Sequence, residues 1–280
     1  MERPAETTYF RYPAPGHVLR YVRLALDARG GDVVEGLMPA LPDLADAGGG
    51  IRLGALTMLV DYVAGVTALR TVQPDWTVTH DLALHLVQPA PPVGELEAFC
   101  RVTRTGRNNV SSETSVVAPD VGEVARAFVT FTRLPRREDT PAVSQILHIN
   151  LAEPLADERP RVPLDEAVGF RLGRSDEGPY AEFDHTDFVV NSVGAIQGGV
   201  VALALERAAS WAGECALGVG CRATDLHLHY LALGKTGPFR ARAEVLRVSE
   251  HSVVSRVALH DTGDGDRLLA LGVATAERVA

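Results

Sequence analysis

Residues 191–206 read N-S-V-G-A-I-Q-G-G-V-V-A-L-A-L-E. The first half of this stretch is rich in small and turn-forming residues, whereas the run from Val200 lacks Gly and Pro and is typical of a buried helix. Gln197, Gly198 and Gly199 therefore lie where a helix begins. Unpaired backbone N–H groups and the positive end of the helix dipole can hold an oxyanion there. Most such turns only redirect the chain, so its function depends on the rest of the sequence.

Composition argues against several classes of function. The 280 residues suffice for one large or two ordinary domains, and 46% of them are apolar. The net charge of −9, without any cluster of Lys and Arg, argues against nucleic acid or an anionic membrane as the partner. The N-terminus does not resemble a signal peptide, and no apolar run approaches the roughly 20 residues that span a bilayer. Three cysteines without C-x-x-C spacing fit reduced thiols, so we expect a cytoplasmic protein.

The predicted elements occur twice in the same order. In the first half, a hairpin at residues 21–26 and 33–38, with a turn at 30–32, precedes a polar loop and a buried helix at 55–71. Four strands follow at 77–87, 95–104, 109–117 and 124–133. In the second half, strands at 167–172 and 180–183 precede a helix from 199 to about 216. Strands at 224–231, 239–248, 252–260 and 267–276 complete it. Residues 135–163 lack periodicity and are predicted to link domains at 1–134 and 164–280.

Individual residues also match between the halves. The run I-R-L-G at 51–54 aligns with I-Q-G-G at 196–199, which places Asp61 over Glu206. The run D-L-A-L-H at 81–85 aligns with D-L-H-L-H at 225–229, and residues 94–110 align with 237–253 without a gap. These matches predict a tandem duplication about 145 residues apart, in which each unit packs an apolar helix against a curved antiparallel sheet.

The pattern N-x-x-G-x-x-(H/Q)-G-G, followed by an acid on the next helix and a Ser/Thr-x-Asp strand start, resembles the hotdog-fold acyl-CoA thioesterases of the PaaI-like group. The resemblance covers about 250 residues. It implies an α+β double hotdog: two repeats, each with an antiparallel sheet wrapped around a central helix. In that family two units pair side by side and share each active site, so the two halves of this chain would form composite sites.

The duplication then implies two unequal sites. The first would combine residues of the second half with an acid and a hydroxyl of the first half: Asn191, Gln197, Gly198 and Gly199 with Asp61 and Thr79. The second would combine Asp46, Arg52, Leu53 and Gly54 with Glu206. In the second site Arg replaces the His or Gln, Leu replaces the first glycine, and Ala223 stands at the strand hydroxyl position. We expect this second site to be impaired or repurposed.

The chemistry of the first site follows from thioester hydrolysis. Negative charge develops on the carbonyl oxygen, and the Gly198 N–H at a helix start is a suitable donor for it. Asp61 could activate a water as general base or attack as a nucleophile, and Thr79 could orient the water. Gln197 replaces the commoner His of the family; it keeps a hydrogen-bond donor but removes a titratable group.

Structural alternatives remain for several of these residues. An Asp on an apolar helix is often simply paired with a buried group, so Asp61 could have a structural role. For Glu206 a structural role is favoured over a catalytic one. His227 and His229 share one face of a strand, but no neighbouring carboxylate or Cys in the sequence completes a metal site, so we predict a packing role and no metal. Arg104 and Arg107 could bind coenzyme A phosphates, although solvated turn arginines are the simpler interpretation.

We therefore predict an acyl-CoA thioesterase without a metal or redox cofactor, in which coenzyme A is part of the substrate and double units could form a homo-oligomer. One alternative is a non-catalytic protein that binds acyl-CoA or acyl carrier, which the substitutions at Arg52 and Gln197 favour. A hotdog dehydratase or hydratase is disfavoured, because its Asp/His pair has no counterpart here: His185 and Asp187 lie upstream of the glycine loop.

Overall fold

The computed structural model describes residues 13–27, 33–136 and 161–279. Two helices of twenty residues each lie against one large sheet: the first core helix, Leu53–Val72, and the second core helix, Gly198–Leu217. Two short α-helices, Val18–Tyr21 and Leu164–Val168, and a 3₁₀ turn, Pro42–Leu44, complete the helical part of the described chain.

The sheet has twelve strands, and every strand pair in the described ranges is antiparallel. The first half supplies β1 (Ala25–Asp27), β2 (Val33–Pro39), β3 (Trp76–Leu86), β4 (Glu95–Thr105), β5 (Asn109–Ala118) and β6 (Gly122–Leu134). The second half supplies β7 (Arg171–Ser175), β8 (Gly178–Phe183), β9 (Cys221–Tyr230), β10 (Phe239–Val248), β11 (Ser252–Asp261) and β12 (Arg267–Arg278).

The strand order places six strands of each half on either side of one seam. The order is β1-β2-β4-β5-β6-β3-β9-β12-β11-β10-β8-β7. At the seam, β3 pairs with β9 from Asp81 opposite His229 to His85 opposite Asp225. The D-L-A-L-H and D-L-H-L-H runs are therefore the strands that join the two halves into one sheet.

The first core helix is apolar on nearly every side, which explains its burial. Such a helix is stable only inside a core, and Leu56, Met58 and Val63 are fully buried. By length and composition this helix could also cross a membrane, but 72% of its most apolar window is buried within the protein. The expectation that no apolar run approaches the length of a membrane span was therefore wrong, and the burial of this run is that of a core helix.

A glycine near the start of each core helix lets the two helices approach closely. A Cβ on Gly199 would lie 2.8 Å from Met58 Cα, and a Cβ on Gly54 would lie 3.0 Å from Leu203 Cα. The first two turns of each helix thus pack against the first two turns of the other, in antiparallel directions. This crossing brings the N-terminus of one helix to the acid of the other.

Two predicted strands differ in the structure. Of the predicted strand at 21–26, only residues 25 and 26 belong to a strand, β1. Tyr21 instead ends the helical turn Val18–Tyr21, which the His17 ring caps by accepting the Leu19 N–H at 3.1 Å. Predicted strand 167–172 is instead the helix Leu164–Val168, which ends at Gly169 in the left-handed region, and β7 begins only at Arg171.

The other predicted strands and both long helices agree with the structure to within a few residues. Most of the predicted linker, residues 137–160, and the predicted turn at 30–32 lie outside the described residues. The boundaries of the two predicted domains therefore stay a prediction.

Candidate active site

The loop before the second core helix is held by its own asparagine. Asn191 Oδ1 accepts the N–H groups of Val193 at 3.0 Å and Ala195 at 3.1 Å. Gln197 then caps the helix, because its Oε1 accepts the Val200 N–H at 3.0 Å. Gly198 is the first helical residue, so its N–H has no acceptor within the helix.

The first core helix presents Asp61 to this junction. The Thr79 hydroxyl donates to Asp61 Oδ1 at 2.9 Å, and the Gln197 Nε2 donates to Oδ2 at 3.1 Å. The Gly199 N–H provides a further hydrogen bond. The residue is only 8% exposed, and burial raises the carboxyl pKa to about 6 although all three hydrogen bonds favour the charged form. Asp61 is thus a carboxylate held by neutral donors.

A β-bulge at His80 turns Thr79 towards Asp61. Pairing of β3 with β6 shifts at this point: Thr79 lies opposite the buried Phe131, whereas Asp81 lies opposite Thr130. Without the extra residue, positions 79 and 81 would face the same side of the sheet. With it, Thr79 faces the helices and Asp81 faces the outer surface.

Close approach of the two helices requires a glycine at position 198. A Cβ there would lie 2.8 Å from Asp61 Oδ2 and 3.1 Å from Oδ1. On the other side, the Tyr230 hydroxyl donates to the Gly198 carbonyl oxygen at 2.9 Å. Burial raises the pKa of Tyr230, so this hydroxyl stays protonated and fixes the start of the helix.

These groups meet in a cavity of about 490 Å³, within the usual size of small-molecule sites. Its wall includes the residues of the predicted site Asp61, Thr79, Asn191, Gln197 and Gly198. Its remaining wall is mainly apolar and includes Val66, Leu69, Phe131, Leu134, Leu231 and Leu233. The cavity therefore offers a buried carboxylate and a helix N-terminus to a ligand with a long apolar part.

The structure brings together most of the first predicted site. Four of its residues are mutual neighbours: Asp61, Thr79, Gln197 and Gly198. Asn191 also lines the cavity, but its side-chain oxygen accepts hydrogen bonds from its own loop. Gly199 lies at the helix crossing. Tyr230 was not predicted as a site residue. The one signal in the sequence is a difference between the halves, because the matched position in the first half, residue 86, is a leucine.

The second predicted site is filled by an ion network. Arg52 Nε lies 3.2 Å from Glu206 Oε2, without hydrogen-bond geometry, and Arg52 Nη1 pairs with Asp165. Asp165 also accepts from Arg207 Nε at 2.8 Å, and Ser210 donates to Glu206 Oε1 at 2.9 Å. Glu206 is 1% exposed, so this ion network is closed to solvent, and burial raises the Glu206 pKa.

 The Glu206 carboxylate is thus paired with the Arg52 guanidinium instead of facing a cavity.

The other residues of the second site also differ from their counterparts. Leu53, at the position of Gly198, is 1% exposed and fills the space beside the helix start, and Ala223 replaces the hydroxyl of Thr79. A Cβ on Gly54 would lie 2.9 Å from Glu206 Oε2. Asp46 holds its own loop through the Gly48 N–H at 2.8 Å and pairs with Arg222.

The remaining candidates lie outside the cavity. Arg104 and Arg107 are exposed at the β4–β5 turn and are absent from the described cavity wall. His185 Nε2 lies 3.1 Å from the Gly194 carbonyl oxygen, and neither it nor Asp187 is among the described residues that line the cavity. The Asp/His pair of a dehydratase is therefore not formed by these two residues at the cavity.

The expectation that no carboxylate accompanies His227 and His229 was wrong. Asp81 Oδ2 lies 2.8 Å from His227 Nε2 and 3.0 Å from His229 Nδ1. The sequence concealed this contact because Asp81 is far away along the chain, and the pairing of β3 with β9 brings it opposite His229.

Comparison with protein families identifies the second half of the chain. Residues 193–267 match the model of the thioesterase superfamily. Over these residues the chain is similar to the thioesterase superfamily. The matched region begins in the loop before the second core helix and ends at the start of β12, so it includes the helix junction with Gln197 and Gly198. The predicted resemblance to thioesterases is confirmed at the level of the superfamily.

Solved structures extend the likeness to nearly the whole chain. An acyl-ACP thioesterase from Bacteroides thetaiotaomicron has 16% identity and a TM-score of 0.59, with 88% of this chain and 98% of that chain covered. A tesB protein from Mycobacterium avium subs paratuberculosis has 12% identity and a TM-score of 0.59, with 91% and 96% covered. At these identities the likeness shows the hotdog fold alone. A comparison with curated protein sequences finds no match.

Proposed function

We propose that this thioesterase-superfamily protein hydrolyses an acyl thioester, with acyl-CoA as the substrate, at a composite site between its two halves. The observation that carries the proposal is the buried Asp61 carboxylate, held by Thr79 and Gln197 in the wall of a mainly apolar cavity. Asp61 comes from the first half and the Gly198 helix start from the second. Neither half alone holds both groups.

The substrate carbonyl would lie at the start of the second core helix. There the Gly198 N–H has no helical acceptor, and the helix dipole favours negative charge. Charge that develops on the carbonyl oxygen during attack would be stabilised by this donor, which is fixed before the reaction begins. Tyr230 supports the donor by holding the Gly198 carbonyl at 2.9 Å.

Asp61 would act as the general base. A water bound to its carboxylate attacks the carbonyl carbon, and the carboxylate takes the proton of that water. The tetrahedral intermediate then collapses, the C–S bond breaks, and the proton passes to the leaving thiolate. A pKa of about 6 leaves Asp61 mostly ionised at neutral pH, yet basic enough to accept the proton. Direct attack by the carboxylate would give an anhydride that water then hydrolyses.

The apolar wall of the cavity would hold the acyl chain. It is formed by side chains from the first core helix, β6 and the segment after β9, such as Leu69, Phe131 and Leu233. Arg104 and Arg107 are proposed to contact coenzyme A phosphates. Their turn is joined to β6 by the Arg133 N–H, which donates to the Asn108 carbonyl at 2.8 Å, and the next residue, Leu134, lines the cavity.

The proposal includes a tandem double hotdog. Matched hydrogen bonds in the two loops support it: the Asp46 N–H donates to the Gly50 carbonyl at 2.8 Å, and the Asn191 N–H donates to the Ala195 carbonyl at 2.7 Å. The symmetric strand order about the β3–β9 seam is a further support. The second composite site would be inactive, because Arg52 neutralises the acid that would otherwise serve as a base.

Purified protein assayed against a panel of acyl-CoAs, with detection of free thiol, tests this function. Asp61→Asn should lower kcat/KM by about 10² to 10⁴, because the base is removed while the shape is kept. Glu206→Gln is the matched control and should retain activity within a few-fold. Loss of turnover in Glu206→Gln but not in Asp61→Asn would reject the site.

Binding measurements on the same panel separate catalysis from simple recognition. If several acyl-CoAs bind in the cavity but none is cleaved, the protein is a binding protein and the hydrolase proposal fails. Cleavage of acyl carrier protein thioesters, with none of acyl-CoA, would keep the reaction and correct the carrier.

A further inference from the structure

The outer face of the β3–β9 seam carries two clusters of titratable side chains, away from the cavity. In one, Asp81 lies between His227 and His229; in the other, His85 Nδ1 lies 2.6 Å from Asp225 Oδ2. The bulge at His80 places Asp81 on this outer face while Thr79 points to the cavity. The clusters are therefore separate from the proposed thioesterase chemistry.

We propose that Asp81, His227 and His229 form a binding site for a divalent transition-metal ion such as Zn²⁺. The three side chains offer ligand atoms that all lie within 4.8 Å of one another. Two imidazole nitrogens and a carboxylate oxygen are a donor set that suits zinc and its neighbours in the first transition row. The ligand atoms are Asp81 Oδ2, His227 Nε2 and His229 Nδ1.

The two distances from Asp81 to the histidine nitrogens fit coordination of one ion. With metal–ligand bonds of about 2.0–2.1 Å, neighbouring ligand atoms lie about 3 Å apart at right angles and about 3.3 Å apart at the tetrahedral angle. Asp81 Oδ2 already lies 2.8 Å and 3.0 Å from the two ring nitrogens. Both imidazole side chains are about half exposed, at 50% and 51%, so the rings can adjust their separation around an ion and leave room for water ligands.

The duplication supplies an internal comparison. The second cluster has a His and an Asp in matched positions, His85 and Asp225, but Ala83 stands where His227 stands in the other half. A single His–Asp pair is common as a plain hydrogen bond. Convergence of two rings on one carboxylate oxygen distinguishes the Asp81 cluster, and His227 is the residue that completes it.

A metal at this position would brace the junction between the two halves. Asp81 belongs to β3 of the first half, whereas both histidines belong to β9 of the second. Binding to the folded seam alone would stabilise the folded protein, because the unfolded chain does not hold these ligands together. We therefore assign the site a structural role.

Titration of untagged, chelator-treated protein with Zn²⁺ by calorimetry tests the site. We expect one equivalent per chain, weakened at least about tenfold in His227→Ala and in Asp81→Asn. His85→Ala and Asp225→Asn are the matched controls and should bind as the unmodified protein does. Cys215→Ser, at a partly exposed thiol, should also leave binding unchanged.

Two further measurements bear on the same assignment. Zn²⁺ should raise the Tm of the unmodified protein by several degrees but not that of His227→Ala, and Ala83→His should add a second equivalent. Absence of binding at ~100 µM Zn²⁺, or equal weakening by His85→Ala and His227→Ala, would overturn the proposal. Because no turnover is measured, failure of this site is distinguishable from failure of the thioesterase proposal.

Discussion

At the start of the second core helix, Gly198 faces the Asp61 carboxylate beside an open cavity, whereas at the start of the first core helix Arg52 and Leu53 enclose Glu206. The same helix crossing thus buries an acid twice. Asp61 is surrounded by neutral hydrogen-bond donors and Glu206 by guanidinium groups. The difference teaches that a few side chains around a common backbone decide whether a buried acid faces a ligand or an ion pair.

The largest expected difference between the two junctions is in stability. Arg52→Met would leave Glu206 buried without its guanidinium partner, which should lower the free energy of unfolding at pH 8 by about 3–5 kcal/mol. Gln197→Met, at the matched position, loses neutral hydrogen bonds and should cost about 1–2 kcal/mol. Urea unfolding measures both, and equal losses would contradict the distinction between the junctions.

The next largest effect concerns the glycine at the helix start. Gly198→Ala places a Cβ 2.8 Å from Asp61 Oδ2, and Thr79 and Gln197 hold that carboxylate in place. We expect kcat/KM to fall by about 10² to 10³, as for a displaced oxyanion donor. Leu53→Ala is the matched control, and per folded chain it should keep kcat/KM within a few-fold. A comparable loss of kcat/KM in Leu53→Ala would contradict the proposal that only the Gly198 junction is catalytic.

Burial of Asp61 predicts a pH-dependent gain of stability on its removal. Its folded pKa of about 6 exceeds the unfolded value of 3.8, so ionisation opposes folding as pH rises through that window. At pH 8 the full cost is about 3 kcal/mol, and below pH 3.8 it is absent. Asp61→Asn should therefore raise the free energy of unfolding at pH 8 more than at pH 5. An equal change at both pH values, measured by urea unfolding, would show that the carboxyl pKa is not raised.

The smallest expected effect concerns the hydroxyl on β3. Thr79→Val removes the bond to Asp61 Oδ1 that favours the charged carboxylate, so the Asp61 pKa should rise further. We expect kcat/KM to fall about tenfold near pH 6 and its acidic midpoint to move upwards. Ala223→Ser, at the matched position of the other junction, should leave the pH profile unchanged; an unmoved midpoint in Thr79→Val would reject the role of the hydroxyl.

Much of the fold followed from local sequence patterns. The sequence predicted most of the strands, the two apolar helices and the turns before those helices. These elements depend on periodicity and turn chemistry, which are local properties of the chain. The helical turns at residues 18–21 and 164–168 were missed, since each depends on a capping contact: the His17 ring in one, and Gly169 in the left-handed region in the other. Such capping contacts decide the secondary structure of a few residues against the strand preference of their side chains.

The candidate site was partly predictable for the same reason. The internal repeat aligned Asp61 with Glu206 and so paired each acid with the opposite helix start. The Arg52–Asp165 contact and the Tyr230 bond to Gly198 were not foreseen, because both join segments that no sequence pattern relates. Asp81 was missed as a partner of His227 because the register between β3 and β9 is set only when the two halves form one sheet.

The sequence by itself determined most of the elements, the matched motifs of the two halves and which half carries each acid, because these depend on local periodicity and on similar short runs of residues. The tertiary structure alone decided what surrounds each acid and which side chains meet across the seam. The bulge at His80 directs Thr79 inwards and Asp81 outwards, and the helix crossing brings Gly198 to Asp61. These contacts depend on packing between residues far apart in the chain, and one residue of register would reverse them.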